Sequence, residues 1–215
     1  MAMSAGCGCC KGPALSELGT SHAHGTDRIS CVSGPTGVHG VTFAPMATDP
    51  SARLRLRPAT PADVPVIRGL IEGLAEYEKL RHECHATDAL LHDALFGPRP
   101  HAEVVLAEWD GQVAGFALFF HNFSTFLARP GIYLEDLFVR PEQRGHGIGK
   151  ALLMHLAHVA VQRGCGRLEW SVLDWNVDAI GFYEKLGARA QDEWTVYRVT
   201  GDALTHLASG QAGHE

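Results

Sequence analysis

Gly131-Ile-Tyr-Leu-Glu-Asp-Leu-Phe-Val-Arg-Pro-Glu-Gln-Arg-Gly-His-Gly-Ile-Gly-Lys150 is the stretch that decides the fold. Its first part, 131–139, is an apolar run with strand character that carries two adjacent carboxylates, Glu135 and Asp136. Pro141 bounds it, and a glycine-rich turn, Arg144–Gly149, leads directly into apolar residues at Ile148, Leu152, Leu156 and Val159. That spacing predicts a helix over 147–163. Unhindered N–H groups at a helix N-terminus suit a phosphate or diphosphate. Side chains alternate along a strand, so Asp136 is expected on the face opposite Glu135, and only one of the two can serve a given cavity.

Three phosphate-binding patterns compete for the turn. The P-loop needs Gly, four residues and Gly-Lys-Ser/Thr. Here Gly149-Lys150 is followed by Ala151, and position 144 is Arg. The dinucleotide fingerprint Gly-x-Gly-x-x-Gly accepts Gly145 and Gly147 but meets Lys150 at its third glycine. Glu169 lies near the distance at which that fold places its ribose-binding acid, so this reading stays open. The third pattern, Arg/Gln-x-x-Gly-x-Gly/Ala, is matched throughout by Arg144-Gly145-His146-Gly147-Ile148-Gly149. Glycines that merely permit a tight turn are the plain alternative.

Downstream, Arg167–Leu173 reads as a strand, and Asp174-Trp175-Asn176 as a turn into a helix over 176–186 that ends near Gly187. The segments Tyr133–Val139, Arg144–Gly149, Leu173–Asn176 and Phe182–Ala188 together resemble the GNAT acetyltransferases. More narrowly they resemble the diamine branch, which includes spermidine/spermine and thialysine N-acetyltransferases. Arg57-Pro58-Ala59-Thr60 and Ala75-Glu76-Tyr77-Glu78-Lys79-Leu80 agree, so the resemblance covers roughly 53–208.

The resemblance implies an α/β chain with a single GNAT-type acyl-CoA N-acyltransferase fold, a mixed central β-sheet flanked by helices. It implies acetyl-CoA as co-substrate, no metal, and a homodimer. Amide formation from an amine and a thioester needs a base for the ammonium and a proton for the leaving thiolate. Backbone N–H groups facing the carbonyl oxygen would stabilise its developing charge. By resemblance, Glu135 contacts the amine and helps deprotonate it, and Tyr183 is the general acid at the sulfur. Leu137, Phe138 and Val139 would pair their backbone with the pantetheine arm. Arg144, Gly145, His146, Gly147, Ile148, Gly149 and Lys150 would hold the pyrophosphate, and Asn176 would both cap its helix and contact CoA. Tyr77 and Glu78 would help bind the amine. Each has a structural alternative: core packing for Tyr183, a plain N-cap for Asn176, surface positions for Tyr77, Glu78 and Lys150.

The polyamine enzymes carry an acidic residue in the loop before the catalytic strand. Here Asn122–Ala128 contains none, and Val172–Asn176 looks more like the thialysine type. A small primary amine, such as a lysine analogue or short diamine, is therefore expected over spermine. Acetylation of a protein lysine or N-terminus is the same-fold alternative, although a loop inserted at 121–130 suggests a closed site. A non-catalytic acyl-CoA-binding regulator is the alternative from another class.

Composition narrows the setting. A chain of 215 residues, 46% hydrophobic, can bury one substantial core. The formal charge of −6 argues against nonspecific nucleic-acid binding and suits a cationic substrate. No run of 18 apolar residues suggests a membrane span. No apolar segment behind a basic N-terminus reads as a secretory signal. The six cysteines, at 7, 9, 10, 31, 84 and 165, form no disulfide framework and fit reduced thiols in the cytoplasm. Cys7, Cys9, Cys10, His22, His24, Cys31 and His39 match no paired metal-ligand spacing.

Residues 1–52 hold eight of the 24 Gly, four of the 11 Pro and a single aromatic, Phe43, and show no lasting period. They are expected to be a disordered extension, with the functional chain starting near Met46. The domain is expected over 53–208, followed by a tail over 209–215. Within it, 53–57 alternates as a strand, and Thr60-Pro61 starts a helix running to about Leu80. Thr87 starts a second helix through about Phe96, and 103–109 with 112–120 form a hairpin across Asp110-Gly111. A loop over 121–130 and one or two final strands between Arg189 and Val199 complete the expectation.

Overall fold

The computed structural model describes residues 53–210. The expectations for the extension, the start near Met46 and the Cys/His group concern residues outside that range. Five strands form one mixed sheet in spatial order β1 to β5: β1 Leu54–Pro58, β2 Glu103–Trp109, β3 Gln112–Ser124, β4 Arg129–Val139 and β5 Leu168–Trp170. The first three junctions are antiparallel; β4 and β5 run parallel. A parallel pair needs a crossover, and helix α1 Val64–Tyr77 and α2 Asp88–Phe96 come too early to supply it. The crossover is α3, Ile148–Gln162, and α4 Val177–Lys185 and α5 Gly201–Ala208 follow β5.

Each face of the sheet has its own core. On one face Val105, Ala107, Phe119, Ile132 and Leu134 meet Ile148, Leu152, Leu156 and Val159 of α3. These are the α3 positions picked out by helical period, and burying each side chain contributes about 1.5–3 kcal/mol. On the other face Val104, Leu106, Phe116 and Phe138 meet Ile67 and Leu70 of α1 and Leu95 of α2. Thr60 opens a short 3₁₀ turn, Pro61–Asp63, through a capping box with Asp63. Arg57 ties this turn to the sheet: it donates to both Asp63 oxygens at 2.8 Å and to Glu108. Thr87 caps α2 by accepting from the Leu90 N–H, as its position predicts.

Four expectations are corrected. The first helix opens as the 3₁₀ turn Pro61–Asp63 and ends at Tyr77, short of Leu80; Lys79 takes a positive φ of 62°, which stops it, and Arg81–Glu83 is a separate 3₁₀ turn. The span 121–130 is not an inserted loop: β3 and β4 keep pairing through Ser124↔Arg129, leaving a tight connection. Pro130 sits one residue inside the strand start, where a missing N–H costs little. The inference of a closed site from that loop falls with it. The strand expected over 167–173 is regular only over 168–170, because β4 and β5 part beyond Leu134↔Trp170. No strand forms between Arg189 and Val199; those residues are exposed and irregular and lead into α5.

Candidate active site

Where β4 and β5 part, a cavity of about 580 Å³ opens. Its walls are the second half of β4, the turn before α3, the segment after β5, the end of α1 and the start of α4. Every predicted site residue except His146 lines it. The sequence separation between these groups exceeds a hundred residues, from Tyr77 to Tyr183, and the sheet order alone brings them together.

The turn has the geometry expected of an anion cradle. Gly145 and Gly147 take φ of 81° and 77°, which Cβ-bearing residues adopt only with strain. A Cβ added at either would meet nothing within 4 Å, so the crest is open on both sides. Gly147 is the N-cap of α3, whose first N–H groups are left over for a ligand. Arg144 does not point outward: its Nε donates to the Val139 carbonyl at 3.1 Å, and its guanidinium lies 4.6 Å from the Tyr77 ring centroid.

Tyr77 reaches across the mouth of the cavity. Its hydroxyl donates to Asn176 Oδ1 at 3.3 Å, and its ring lies 5.9 Å from Trp175. The same Asn176 oxygen accepts from the Ala179 N–H at 3.4 Å, so Asn176 is the N-cap of α4 as predicted. Gly187, at φ 89°, closes the other end of that helix.

Glu135 and Asp136 both line the cavity, against the expectation that they face opposite ways. The register explains it. Phe119 pairs with Leu134 and Leu118 with Asp136, which leaves Glu135 as an extra residue in β4. This β-bulge resets the alternation. Ile132 and Leu134 face α3, but beyond the bulge Leu137 and Val139 do so, and Phe138 faces α1. A bulge of this kind has no signature in the segment's own residues.

Burial pushes the Asp136 carboxyl up from 3.8 to about 7, and the neighbouring charges of Glu135 and Glu78 add to the push. Burial also raises Glu135, against the pull of the Arg198 charge, and raises Glu78. Glu135 Oε2 is buried without a hydrogen-bond partner. Three carboxylates thus crowd one partly dry cavity, an arrangement that favours a cation entering from water. Tyr183 stands on the α4 side, half-buried, its ring edge-on to Trp170 at 5.0 Å. Burial raises its phenol first, and Tyr77 and Glu78 add to that, so it keeps its proton at neutral pH.

The profile of the Acetyltransferase (GNAT) family matches residues 70–188. Among curated proteins, the chain is 40% identical over 195 residues to L-ornithine N5-acetyltransferase NATA1 of Arabidopsis thaliana, covering 70% of this chain and 86% of that one. It is 36% identical over 168 residues to thialysine N-epsilon-acetyltransferase of Mus musculus, covering 73% and 98%. Among solved structures, an integron cassette protein from the mobile metagenome of V. cholerae superposes with a TM-score of 0.63 at 28% identity, over 73% of this chain and 98% of that one.

Proposed function

The chain belongs to the GNAT acetyltransferase family, and from that premise we propose that it transfers an acetyl group from acetyl-CoA to a primary amine of a small molecule by direct attack with both substrates bound. The observation that carries this reading is the single cavity in which an anion-cradling turn, paired carboxylates and a protonated phenol face one another. Acetyl-CoA supplies a thioester whose acyl carbon is open to an amine.

The residues present fit that donor. Two left-handed glycines and the free N-terminus of α3 suit a diphosphate. Along 135–139 no strand among the described residues lies on the β5 side, so the backbone of Leu137, Phe138 and Val139 can pair with an extended amide-bearing arm. Lys150 lines the same end of the cavity as a countercharge. Tyr183 donates its proton to the departing sulfur. Glu135 and Asp136 take the proton of the amine, and Asp136, balanced near neutral pH, is well matched to that task. Glu78 adds to the negative field that draws an ammonium in.

Two relatives are named for L-ornithine and thialysine, which supports a short aliphatic amine as acceptor. The 121–130 segment contains no acid to pair with a distant second ammonium of spermine, so a lysine analogue or short diamine is preferred. Two free thiols, Cys84 and Cys165, are consistent with a cytoplasmic setting. A second copy of the chain would cover the exposed Trp194, Val196 and Tyr197, a homodimer that light scattering tests. The function is tested by free-thiol release from acetyl-CoA with a panel of amines. Turnover with small amines supports it. Turnover with peptides alone points to protein acetylation, and CoA binding without any turnover points to a regulator.

A further inference from the structure

His146 is the one side chain at the crest of the anion-cradling turn, between Gly145 and Gly147, yet it does not line the cavity. Its ring lies instead against Trp109, with centroids 4.6 Å apart and planes 37° from parallel. Its Nδ1 is 3.1 Å from the Gln143 carbonyl, which fixes the ring's direction. Trp109 is the last residue of β2, far from this turn in sequence. It is also in contact with Arg53, whose guanidinium lies 4.7 Å from the indole centroid. Arg53 is itself tied to Asp110 at 2.8 Å, at the head of a hairpin turn in which Asp110 and Gly111 take φ of 49° and 79°. The result is a stack, Arg53–Trp109–His146, standing behind the turn and outside the cavity.

Two left-handed glycines, one on each side of His146, give the crest great conformational freedom and no side-chain grip of their own. Convergence of N–H groups on one anion requires that freedom to be removed. The stack does this from behind, because it pins the only crest residue that has a side chain. We propose that Trp109 is a positioning residue for donor binding: held by Arg53 and in contact with His146, it fixes the turn that receives the diphosphate and touches no substrate itself. This rests on the acetyl-CoA reading given above.

A clamp on the diphosphate cradle makes a demand that simple core packing does not. It matters only for donors that carry a diphosphate. The test is steady-state kinetics of Trp109→Ala with two donors, acetyl-CoA and S-acetyl-pantetheine, which lacks the diphosphate and nucleotide. The expected result is an about three- to tenfold rise in KM for acetyl-CoA, the size of one aromatic contact, with little change in kcat or in KM for the amine. The efficiency with S-acetyl-pantetheine stays where it is, so the preference between the donors falls by the same factor. Trp109→Phe, which keeps a ring, retains most of that preference.

His146→Ala trims an exposed side chain and leaves the core intact, so it serves if Trp109→Ala does not fold. It is expected to show the same donor-selective loss, and the double variant no more than the single ones. Equal losses with both donors, or an unchanged preference in Trp109→Ala and His146→Ala alike, overturn the proposal. A wild-type protein that releases no thiol from acetyl-CoA with any amine would instead overturn the functional reading beneath it.

Discussion

Glu135 and Asp136 are neighbours in the chain and neighbours in the cavity, on the same face of β4, because Glu135 is the extra residue of a bulge opposite Phe119 and Leu118. Burial pushes the Asp136 carboxyl up to about 7, and the adjacent Glu135 charge adds to the push.

That shift has a consequence for stability. The folded chain binds the Asp136 proton more tightly than the unfolded chain, where the group returns to its ordinary value of 3.8. Its contribution is therefore fully present below about pH 4 and is lost as pH rises through about 7. Asp136→Asn removes this dependence. By denaturant unfolding, the variant is expected to gain on wild type between pH 5 and pH 8, by on the order of a few kcal/mol. A difference that does not change with pH would show that Asp136 is not buried as a neutral acid.

Glu135→Gln keeps the size of the side chain and removes its basicity. Turnover is expected to fall most at pH values below the pKa of the amine, where a proton has to be taken away. A pH–rate profile of kcat checks this. A loss that is uniform across pH would assign Glu135 to binding alone.

Tyr183→Phe leaves the ring against Trp170 and removes the hydroxyl. Turnover is expected to drop by about a hundredfold or more, the usual worth of a placed general acid, while affinity for acetyl-CoA by calorimetry stays near that of wild type. Unchanged turnover would take the phenol out of the reaction.

Gly115 tests the sheet beneath the site. A Cβ there would meet the Phe138 carbonyl oxygen at 2.6 Å and Val139 at 3.2 Å. Gly115→Ala is expected to cost about 1–3 kcal/mol in urea unfolding by forcing β3 and β4 apart. A neutral result would mean that β3 absorbs the methyl group at a second bulge, where Gly115 pairs with Ala107 and Val113 with Glu108, leaving Ala114 as the extra residue.

Much of this architecture was legible in the residues. Ile148, Leu152, Leu156 and Val159 recur at helical period, and all four are buried on one face of α3. Thr87 and Asn176 are short polar side chains ahead of helices, and both cap them. The glycines of the turn and Asp110-Gly111 announce positive φ, and the backbone has it. What escaped reading depends on distant partners. Whether Asp136 joins Glu135 is decided by its register against β3. The span 121–130 is expected as a loop, yet Pro130 lies inside β4, because its tolerance depends on where the strand begins. Residues 189–199 alternate enough to suggest strands, but pairing needs an adjacent edge, and β5 is regular for only three residues. The outward turn of His146 towards Trp109 depends on a hairpin nearly forty positions earlier.

The parting of β4 from β5 bears on how such a chain can diversify. Main-chain groups are the same whatever side chain a residue carries, so a docking edge made of them survives substitution at Leu137 or Val139 with its hydrogen-bonding pattern intact. The far wall, built from Tyr77, Glu78, Glu135 and Asp136, has no such protection, and each exchange there alters charge or shape. Under the proposed acetyl transfer, drift is thereby channelled: the carrier end would stay fixed by default while the acceptor end is free to be retuned.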